Sequence, residues 1–445
     1  MSRYEKYKPS EVVWIGDIPH QWKIKRLKDL VNPKITDGPH ETPELVDDED
    51  GVPFISAEAI TENGINYEAR GGNISVEQDR IYSLKCKPKR DDIFIVKSGS
   101  TTGRIGYVDT DLNFNIWSPL ALVRSNNKTS SRFLYHFLSS DCIQRQIQNS
   151  WSFGTQPNIG MGVIERLRLA IPEYIEQLAI ANYLDYQTQK IDRLIANKKA
   201  QAEKLKELRQ IEINNAVTKG LNPNIALKDS SIEWLGEIPK HWEVKRLKNV
   251  ADIKYGLGQP PEEKEDGLPL IRATNVERGK INDKDLIFVD PEDVPYDRDP
   301  VLKENDIIVV RSGAYTADSA IIPKKYEGSI AGYDMVVRVN KSFPLFISFC
   351  LLSNYLLVNQ LFLERLRAAQ PHLNKEELSK SLVLIPPLHE QVQIANYLQN
   401  RTESIDKLLN NIDTQIEKLQ ELRKIKIYEA VTGKIKVNAY AEKTA

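Results

Sequence analysis

Two short β-branched runs each end in a cation, a serine and a glycine, which together could hold a phosphate group or the edge of a base. They are Lys97-Ser98-Gly99 and Arg311-Ser312-Gly313. The cation supplies positive charge, and the glycine lets backbone N–H groups approach a ligand closely. A plain hairpin turn, which uses the same residue types, is the alternative interpretation. We predict these six residues as candidate contacts to nucleic acid.

Sequence patterns typical of enzymes are missing from the chain. No G-x-x-x-x-G-K-[ST], H-E-x-x-H or G-x-S-x-G pattern occurs. The segment Gly99–Gly106 imitates a phosphate-binding loop but lacks the Lys-Ser/Thr pair, so we predict a β-hairpin there. Six scattered histidines and three cysteines show no metal-ligand spacing. We therefore predict no catalytic residue, no metal site and no cofactor bound by this chain itself.

The charge balance argues against a protein that coats nucleic acid by bulk charge. The 445 residues include 61 Lys and Arg against 62 Asp and Glu, a formal net charge of −1. Binding through local basic patches stays open. No run of about 18 apolar residues occurs, and the first ten residues contain no apolar signal region. We expect a cytoplasmic protein with no membrane partner.

The sequence is a tandem duplication. Residues 10–30 and 230–250 share ten of 21 positions at an offset of 220. Further along, Asp91–Gly99 matches Asn305–Gly313 and Glu176–Leu184 matches Glu390–Leu398, both at an offset of 214. The change of offset places a six-residue deletion in the second copy. Two copies of this length exclude a short-period solenoid.

Each copy changes character after an Ile-Pro dipeptide. Short β-rich runs with many turn residues come first, followed by more than 40 residues without Gly or Pro. Gly220 and Gly433 follow these stretches and favour a left-handed helix stop. We predict an α+β fold in which two mixed α/β domains are each followed by a long helix. The predicted ranges are 1–172 and 220–386 for the domains, 173–219 and 387–433 for the helices, and 434–445 for a tail.

Apolar residues keep a seven-residue repeat along both predicted helices. Lys, Glu, Gln and Asn fill the faces between them. A narrow apolar seam on a long polar helix requires a partner helix, and each copy provides the partner of the other. An ordinary core helix is the alternative. The predicted pairing residues are Leu184, Ile191, Leu194, Leu205 and Leu208 in the first helix, and Leu398, Ile405, Leu408, Ile412, Leu419 and Leu422 in the second.

Residues that differ between the copies are the candidates for sequence-specific contacts. Phosphates need cations and N–H donors, whereas base edges are read by side chains with directed donors and acceptors. The predicted contacts of this kind are His40, Thr42, Arg104, Asn158, Tyr315 and His372. The repeated tryptophans Trp14, Trp22, Trp234 and Trp242 have Ile and Pro around them, which favours core packing over base stacking.

With this organisation, the chain resembles the specificity subunit of type I restriction-modification systems. The resemblance covers essentially the whole chain. It is carried by W-I-G-D-I-P-H-Q-W at 14–22, D-G-P-H-E-T-P at 37–43, W-L-G-E-I-P-K-H-W at 234–242, the two D-I-x-x-V-[KR]-S-G strands and the two I-P-x-x-x-E-Q helix starts. The order of domain, long helix, domain, long helix also fits that family.

The resemblance implies a non-catalytic subunit whose two target-recognition domains each read one half of a split site in double-stranded DNA. The helices would form an antiparallel coiled coil that sets the gap and docks two modification (methyltransferase) subunits. S-adenosylmethionine would lie on those subunits, and ATP and Mg²⁺ on restriction subunits of the prokaryotic host. The D-G-P-H loop is replaced in the second copy by Gly256–Pro261, so we expect an asymmetric site. A coiled-coil scaffold that binds only protein is the alternative.

Overall fold

The computed structural model describes residues 2–47, 51–62, 64–69, 71–150, 157–362 and 372–437. The chain forms two compact units, of which the first comprises Met1–Lys198 with Thr414–Ala445 and the second Lys199–Asp413. Each unit contains one mixed α/β domain together with part of each long helix. The predicted α+β class is confirmed.

The first unit is built round an antiparallel four-stranded sheet with the order Ile105–Tyr107, Ile93–Val96, Leu120–Val123, Thr36–Asp37. The strand Ile93–Val96 is apolar throughout because both of its faces are covered: alternate residues pack into two different apolar clusters. Ile105–Tyr107 returns antiparallel to it, which confirms the hairpin predicted for Gly99–Gly106.

Shorter elements complete the first unit. Two of its helices begin at serines, Ser75 and Ser130, whose hydroxyls accept backbone N–H groups of the first turn. A three-stranded sheet has the order Asn115–Ile116, Val52–Ile55, Gly72–Ile74. The other strands are Tyr7–Pro9, Asp17–Pro19, Lys23–Arg26, Ile60–Thr61, Gly64–Ile65 and Arg168–Ile171, and the short helices are Val76–Ser83, Ser131–Leu138, Asp141–Gln148 and Met161–Arg166.

The second unit repeats this plan. Its four-stranded sheet has the order Ala251–Tyr255, Met335–Val339, Ile307–Val309, Ser319–Ile321, and its three-stranded sheet Ile287–Val289, Glu263–Ile271, Ile330–Ala331. The other strands are Leu227–Asp229, Glu237–Pro239, Glu243–Arg246, Val276–Glu277, Lys280–Ile281 and Leu382–Ile385, and the short helices are Pro344–Leu352, Asn354–Leu356, Leu357–Leu361 and Lys375–Lys380. The repeated plan confirms the duplication read from the sequence.

The two ends of each domain pair with each other. Lys23–Arg26 is antiparallel to Arg168–Ile171, and Glu243–Arg246 is antiparallel to Leu382–Ile385. The second strand of each pair ends at the Ile-Pro dipeptide from which a long helix departs. The start of each long helix is therefore attached to the beginning of its own domain.

The first long helix (Tyr174–Lys219) and the second long helix (Leu388–Val431) contain 46 and 44 residues. Their ends lie within two residues of the ranges 173–219 and 387–433 read from the sequence. Gly220 and Gly433 have φ angles of 75° and 70°, the left-handed conformation in which a glycine ends a helix without strain.

The two long helices pack antiparallel within each unit. In the first unit Leu184 shares an apolar cluster with Ala430 and Val431. Farther along the first long helix, Asp192 accepts from Arg423 at 2.9 Å. A later residue of one helix thus contacts an earlier residue of the other, as the resemblance implies.

Three of the predicted pairing residues are exposed and lie outside the seam. Leu194, Leu408 and Leu422 are 42%, 51% and 40% exposed. The buried and half-buried positions follow one another at alternating intervals of four and three residues. Each of the three exposed leucines directly precedes one of these positions in the sequence, so it lies about 100° round the helix from the seam. Leu205, Leu208 and Leu419 are half-buried. The seam consists of Leu184, Thr188, Ile191, Ile195, Lys198, Ala202, Leu205 and Arg209 in the first long helix, and Leu398, Thr402, Ile405, Leu409, Ile412, Ile416, Leu419 and Arg423 in the second.

No single helix in the described ranges is long and apolar enough to cross a membrane. The pair Pro344–Leu352 and Asn354–Leu361 passes the same test of length and composition, with a bend of 63° between its halves. Most of its apolar side chains belong to the core of the second unit.

Candidate nucleic-acid interface

The turn after Lys97 and the turn after Arg311 are held by the same hydrogen bond. Thr102 donates its hydroxyl to the carbonyl of Gly99 at 2.7 Å, and Thr316 donates to that of Gly313 at 2.7 Å. Both glycines have positive φ angles, 100° and 85°, so the turn itself requires glycine at these positions. The two units therefore contain the same type of turn at this place.

Each turn is paired with the segment that follows the Gln-Pro dipeptide of its copy. Isolated antiparallel bridges join Ser98 to Asn158 and Ser312 to His372. The glutamines of those dipeptides, at 156 and 370, lie outside the described residues. The structure thus brings together two groups of predicted contact residues in each unit, although they are about 60 residues apart in the sequence.

Lys97 is buried and its charge is neutralised inside the domain. Its ammonium group donates to the carboxylate of Asp37, which also accepts from Lys85 at 2.7 Å and lies 3.2 Å from the ring of His40. Burial alone would raise the pKa of Asp37, but the two lysines outweigh it and hold that pKa below its usual range. Because the Lys97 side chain is only 11% exposed, this geometry favours a positioning role for Lys97 over the predicted phosphate contact.

Arg311 stands in the corresponding place of the second unit in a different environment. Its guanidinium carbon lies 4.4 Å from the ring centre of Tyr255 and 4.2 Å from that of Tyr333. Within the described part of the chain, its Nε has no hydrogen-bond partner. The backbone N–H of Arg311 donates to Asp334 at 3.1 Å, and burial raises the pKa of that carboxyl to about 6.

The sheet register shows that Tyr255 takes the position of Asp37. In each unit, a residue of the edge strand pairs with a residue of the neighbouring strand. That residue pairs in turn, on its other side, with the residue two positions before the cation. These partners are Asp37, Ala121 and Ile95 in the first unit, and Tyr255, Met335 and Val309 in the second. In the first unit this position therefore holds a carboxylate that forms an ion pair with the lysine. In the second unit it holds an aromatic ring, which contacts the arginine without forming an ion pair.

Asp37 and Tyr255 are each followed by a glycine, and the reason is steric. A Cβ added to Gly38 would lie 2.0 Å from the carbonyl oxygen of Ile116, and one added to Gly256 would lie 2.0 Å from that of Gly332. The D-G-P-H loop and its replacement thus keep the glycine that close backbone approach requires. The surrounding side chains are what differ.

The remaining predicted contacts lie at the surface. Arg104 is exposed and donates to the carbonyl of Ile60 at 3.3 Å, while Tyr315 projects from the second turn. His40 is exposed beside Asp37, and Thr42 is exposed two residues later. Of these four, His40 is joined to the turn residue Lys97 through Asp37. The proposed contacts to DNA by these residues stay predictions.

The cation-rich segment 85–90 has acidic partners. The ion pairs join Lys85, Lys87 and Arg90 to Asp37, Asp79 and Asp111, respectively. Because carboxylates of the first domain already pair with these cations, their number is a poor guide to a binding surface. The cations of residues 23–28 lie on exposed positions of a strand and the turn after it, and one of them, Arg26, pairs with Asp29 at 3.2 Å.

The tryptophans divide into two classes. Core packing is confirmed for Trp22 and Trp242, which are fully buried. It is wrong for Trp234, which is exposed, while Trp14 is half-buried beside the guanidinium of Arg145. The last tryptophan of each motif is therefore the structural one.

Tyr255 and Tyr333 were missed by the sequence analysis. Neither lies in a recognisable motif. The positions 37 and 255 are 218 residues apart, between the offsets of 220 and 214, so the repeat alone does not align them. Among the described residues, no cluster of His, Cys, Asp and Glu could hold a metal ion.

The sequence profile of the type I restriction modification DNA specificity domain matches residues 19–204 and 239–418. The type I restriction enzyme MjaVIII specificity subunit of Methanocaldococcus jannaschii is 26% identical over 435 residues, covering 94% of each chain. The EcoBI specificity subunit of Escherichia coli is 26% identical over 338 residues, covering 71% of this chain and 70% of the relative. A solved structure from work on assembly and conformational transition of the type I R-M system has a TM-score of 0.67 at 15% identity, covering 94% of this chain and 99% of the other.

Proposed function

The chain belongs to the family of type I restriction-modification DNA specificity domains, and we propose that it is the DNA-reading, non-catalytic subunit of such a complex. Each unit reads one half of a bipartite site. The observation that carries this proposal is the shared register that presents Lys97 with Asp37 in one unit and Arg311 with Tyr255 in the other. One scaffold with different side chains at the same place suits two different half-sites, and hence an asymmetric full site.

The long helices provide the spacing and the docking surface. Their seam holds them in fixed register, and Leu194, Leu408 and Leu422 leave apolar surface outside that seam. Exposed apolar side chains on a polar helix suit the binding of partner proteins. Two modification subunits, carrying S-adenosylmethionine, dock there, and restriction subunits supply ATP- and Mg²⁺-dependent steps. The complex works in the cytoplasm on double-stranded DNA.

Selection from a random duplex library tests DNA reading directly. The full chain is assembled with its modification subunits, and the bound duplexes are sequenced. Two separated blocks of preferred bases are expected. Affinity for the selected duplex should fall with salt, with a log–log slope of about −0.9 for each phosphate contacted. A protein-binding scaffold without DNA reading, the alternative function, would enrich no sequence.

Exchange of residues 1–172 for the corresponding domain of another specificity subunit tests modularity. One block of preferred bases should change, while the other block stays as it was. A change in both blocks would contradict the assignment of one half-site to each unit. Methyl transfer by the purified chain alone would contradict its non-catalytic role.

A further inference from the structure

On the basis of the proposed function, we propose that Arg311 reads a guanine in the half-site of the second unit. Tyr255 and Tyr333 are positioning residues that fix the direction of its guanidinium group. The chemical class of the ligand is the major-groove edge of guanine, which presents two adjacent acceptors. This assigns one base-reading residue and its support, beyond the general reading of DNA by the unit.

The charge of Arg311 is available to a ligand. Among the described residues, no carboxylate forms an ion pair with its guanidinium group, and its Nε has no hydrogen-bond partner. The nearby carboxylate of Asp334 accepts the backbone N–H of Arg311 instead. Lys97, the residue at the same position in the first unit, is neutralised by Asp37. The second unit thus has at this place a cation that Asp334 attracts without forming an ion pair with it, whereas the first unit has an ion pair.

The two rings determine which part of the guanidinium group is free. Ring contacts at 4.4 Å and 4.2 Å fix the position of the guanidinium group, and its Nε is buried, so its two terminal NH2 groups are the donors left for a ligand. Tyr255 and Tyr333 are 38% and 45% exposed, so the arrangement lies at the surface where a duplex has access. Two parallel donors in a fixed plane match the O6 and N7 acceptors of guanine.

A base contact explains this support better than a phosphate contact does. Phosphate oxygens accept from many directions, and a mobile lysine serves them as a point charge. Fixing the plane of an arginine between rings matters when the direction of the donors carries the selection. The adjoining turn, with Tyr315 exposed and Ser312 bridged to His372, places further polar side chains beside this contact.

Duplex selection with Arg311→Lys tests the proposal. The assembled complex containing wild-type chain is expected to require guanine at one position of the second block. Arg311→Lys keeps the charge but loses the two-donor geometry, so preference for guanine should fall about 10- to 100-fold at that position only. Every other position should keep its preference.

Tyr333 variants test the positioning role. Tyr333→Leu should weaken the same guanine preference, and Tyr333→Phe should retain it, because phenylalanine keeps the ring. Thermal unfolding of both variants should stay close to that of wild type, since Tyr333 is 45% exposed and lies outside the apolar clusters of the second unit. If Tyr333→Leu keeps the full guanine preference, the positioning role is overturned.

The outcomes for Arg311 separate three cases. Equal loss of affinity for all duplexes would show a phosphate contact and overturn base reading by Arg311. An unchanged base preference would also overturn it. If wild-type complex selected no sequence at all, the proposed DNA-reading function would itself be overturned, which is a result distinct from failure of the Arg311 variant alone.

Discussion

Trp22 donates its indole N–H to the carboxylate of Glu176, 3.2 Å away, in the first turn of the first long helix. Trp242 makes the same bond to Glu390 at 3.0 Å in the second unit. A buried indole needs an acceptor, and the glutamate provides it. The W-x-G-x-I-P-x-x-W motif and the I-P-x-x-x-E-Q motif are therefore two sides of one joint, by which each domain holds the start of its helix.

Gln391, the residue after Glu390, completes this joint and gives a first prediction. It is buried, accepts the N–H of Phe343 at 2.8 Å, and donates to the carbonyl of Pro386 at 2.8 Å. Gln391→Ala leaves both backbone groups without a partner, so we expect a loss of about 2–4 kcal/mol in unfolding free energy. Urea unfolding measures it. Gln399→Ala, at an exposed position of the same helix, is the control and should change stability by less than about 0.5 kcal/mol.

The duplication offers an internal comparison of ion pairs, which gives a second prediction. Asp192 and Asp406 occupy equivalent positions, paired with Arg423 at 2.9 Å and with Arg209 at 3.8 Å. Asp406 is 19% exposed and also binds Lys280 at 2.6 Å, whereas Asp192 is 48% exposed.

Asp406→Asn removes the carboxylate that faces Arg209, whose side chain is 18% exposed, and Lys280, whose side chain is 59% exposed. We expect it to lower the unfolding free energy by about 1–3 kcal/mol, while Asp192→Asn should cost less than about 1 kcal/mol because solvent screens its pair. Equal losses in urea unfolding would show that burial does not set the strength of these seam pairs.

The seam shows what one helix sequence can and cannot predict. Length, the absence of Gly and Pro, and the seven-residue repeat predict both long helices correctly. Leu194 and Ile195 are both apolar, however, and either could face the partner. The choice depends on which register also aligns pairs such as Asp192 with Arg423 across the two helices. That information lies in the pairing and not in either helix alone.

At the candidate nucleic-acid interface, too, the contacts that could not be predicted are those between segments distant in the sequence. The cation-Ser-Gly turns were predictable because neighbouring residues make them. The partners of the cations come from a different strand, so nothing in the sequence showed that Asp37 meets Lys97 or that Tyr255 meets Arg311. These cross-strand contacts, and not the turns, distinguish the two units.

The pKa of Asp334 gives a third prediction. Burial raises this pKa from 3.8 to about 6, so between about pH 4 and 6 the folded protein keeps a proton that the unfolded chain has lost. This group therefore lowers the unfolding free energy as pH rises through that window, and its cost is fully present above pH 6. Asp334→Asn removes the titration and keeps an acceptor for the N–H of Arg311.

We expect Asp334→Asn to match wild type near pH 4 and to be more stable by up to about 3 kcal/mol at pH 7, from 1.36 kcal/mol for each pKa unit. Unfolding free energies of the two proteins, measured at both pH values, give the difference. Other carboxylates titrate equally in both proteins and cancel. A difference that does not change with pH would contradict burial as the cause.

The spacing role of the long helices gives the last prediction. Insertion of seven helix-forming residues after Lys198 and seven after Asp413 lengthens both helices by one heptad, so the apolar seam keeps its register. Each helix becomes about 10 Å longer. At about 3.4 Å per base pair, the preferred gap between the two half-sites should grow by about three base pairs, with the half-sites unchanged.

Duplex selection with the assembled complex measures this gap. The matched control is insertion of seven residues in the first long helix alone, which moves half of its seam past the partner helix and should destabilise the pair. A doubly lengthened variant that unfolds like wild type but still selects the original gap would show that the helices do not set the spacing. A longer gap with altered half-site bases would show instead that the helices also orient the two domains on DNA.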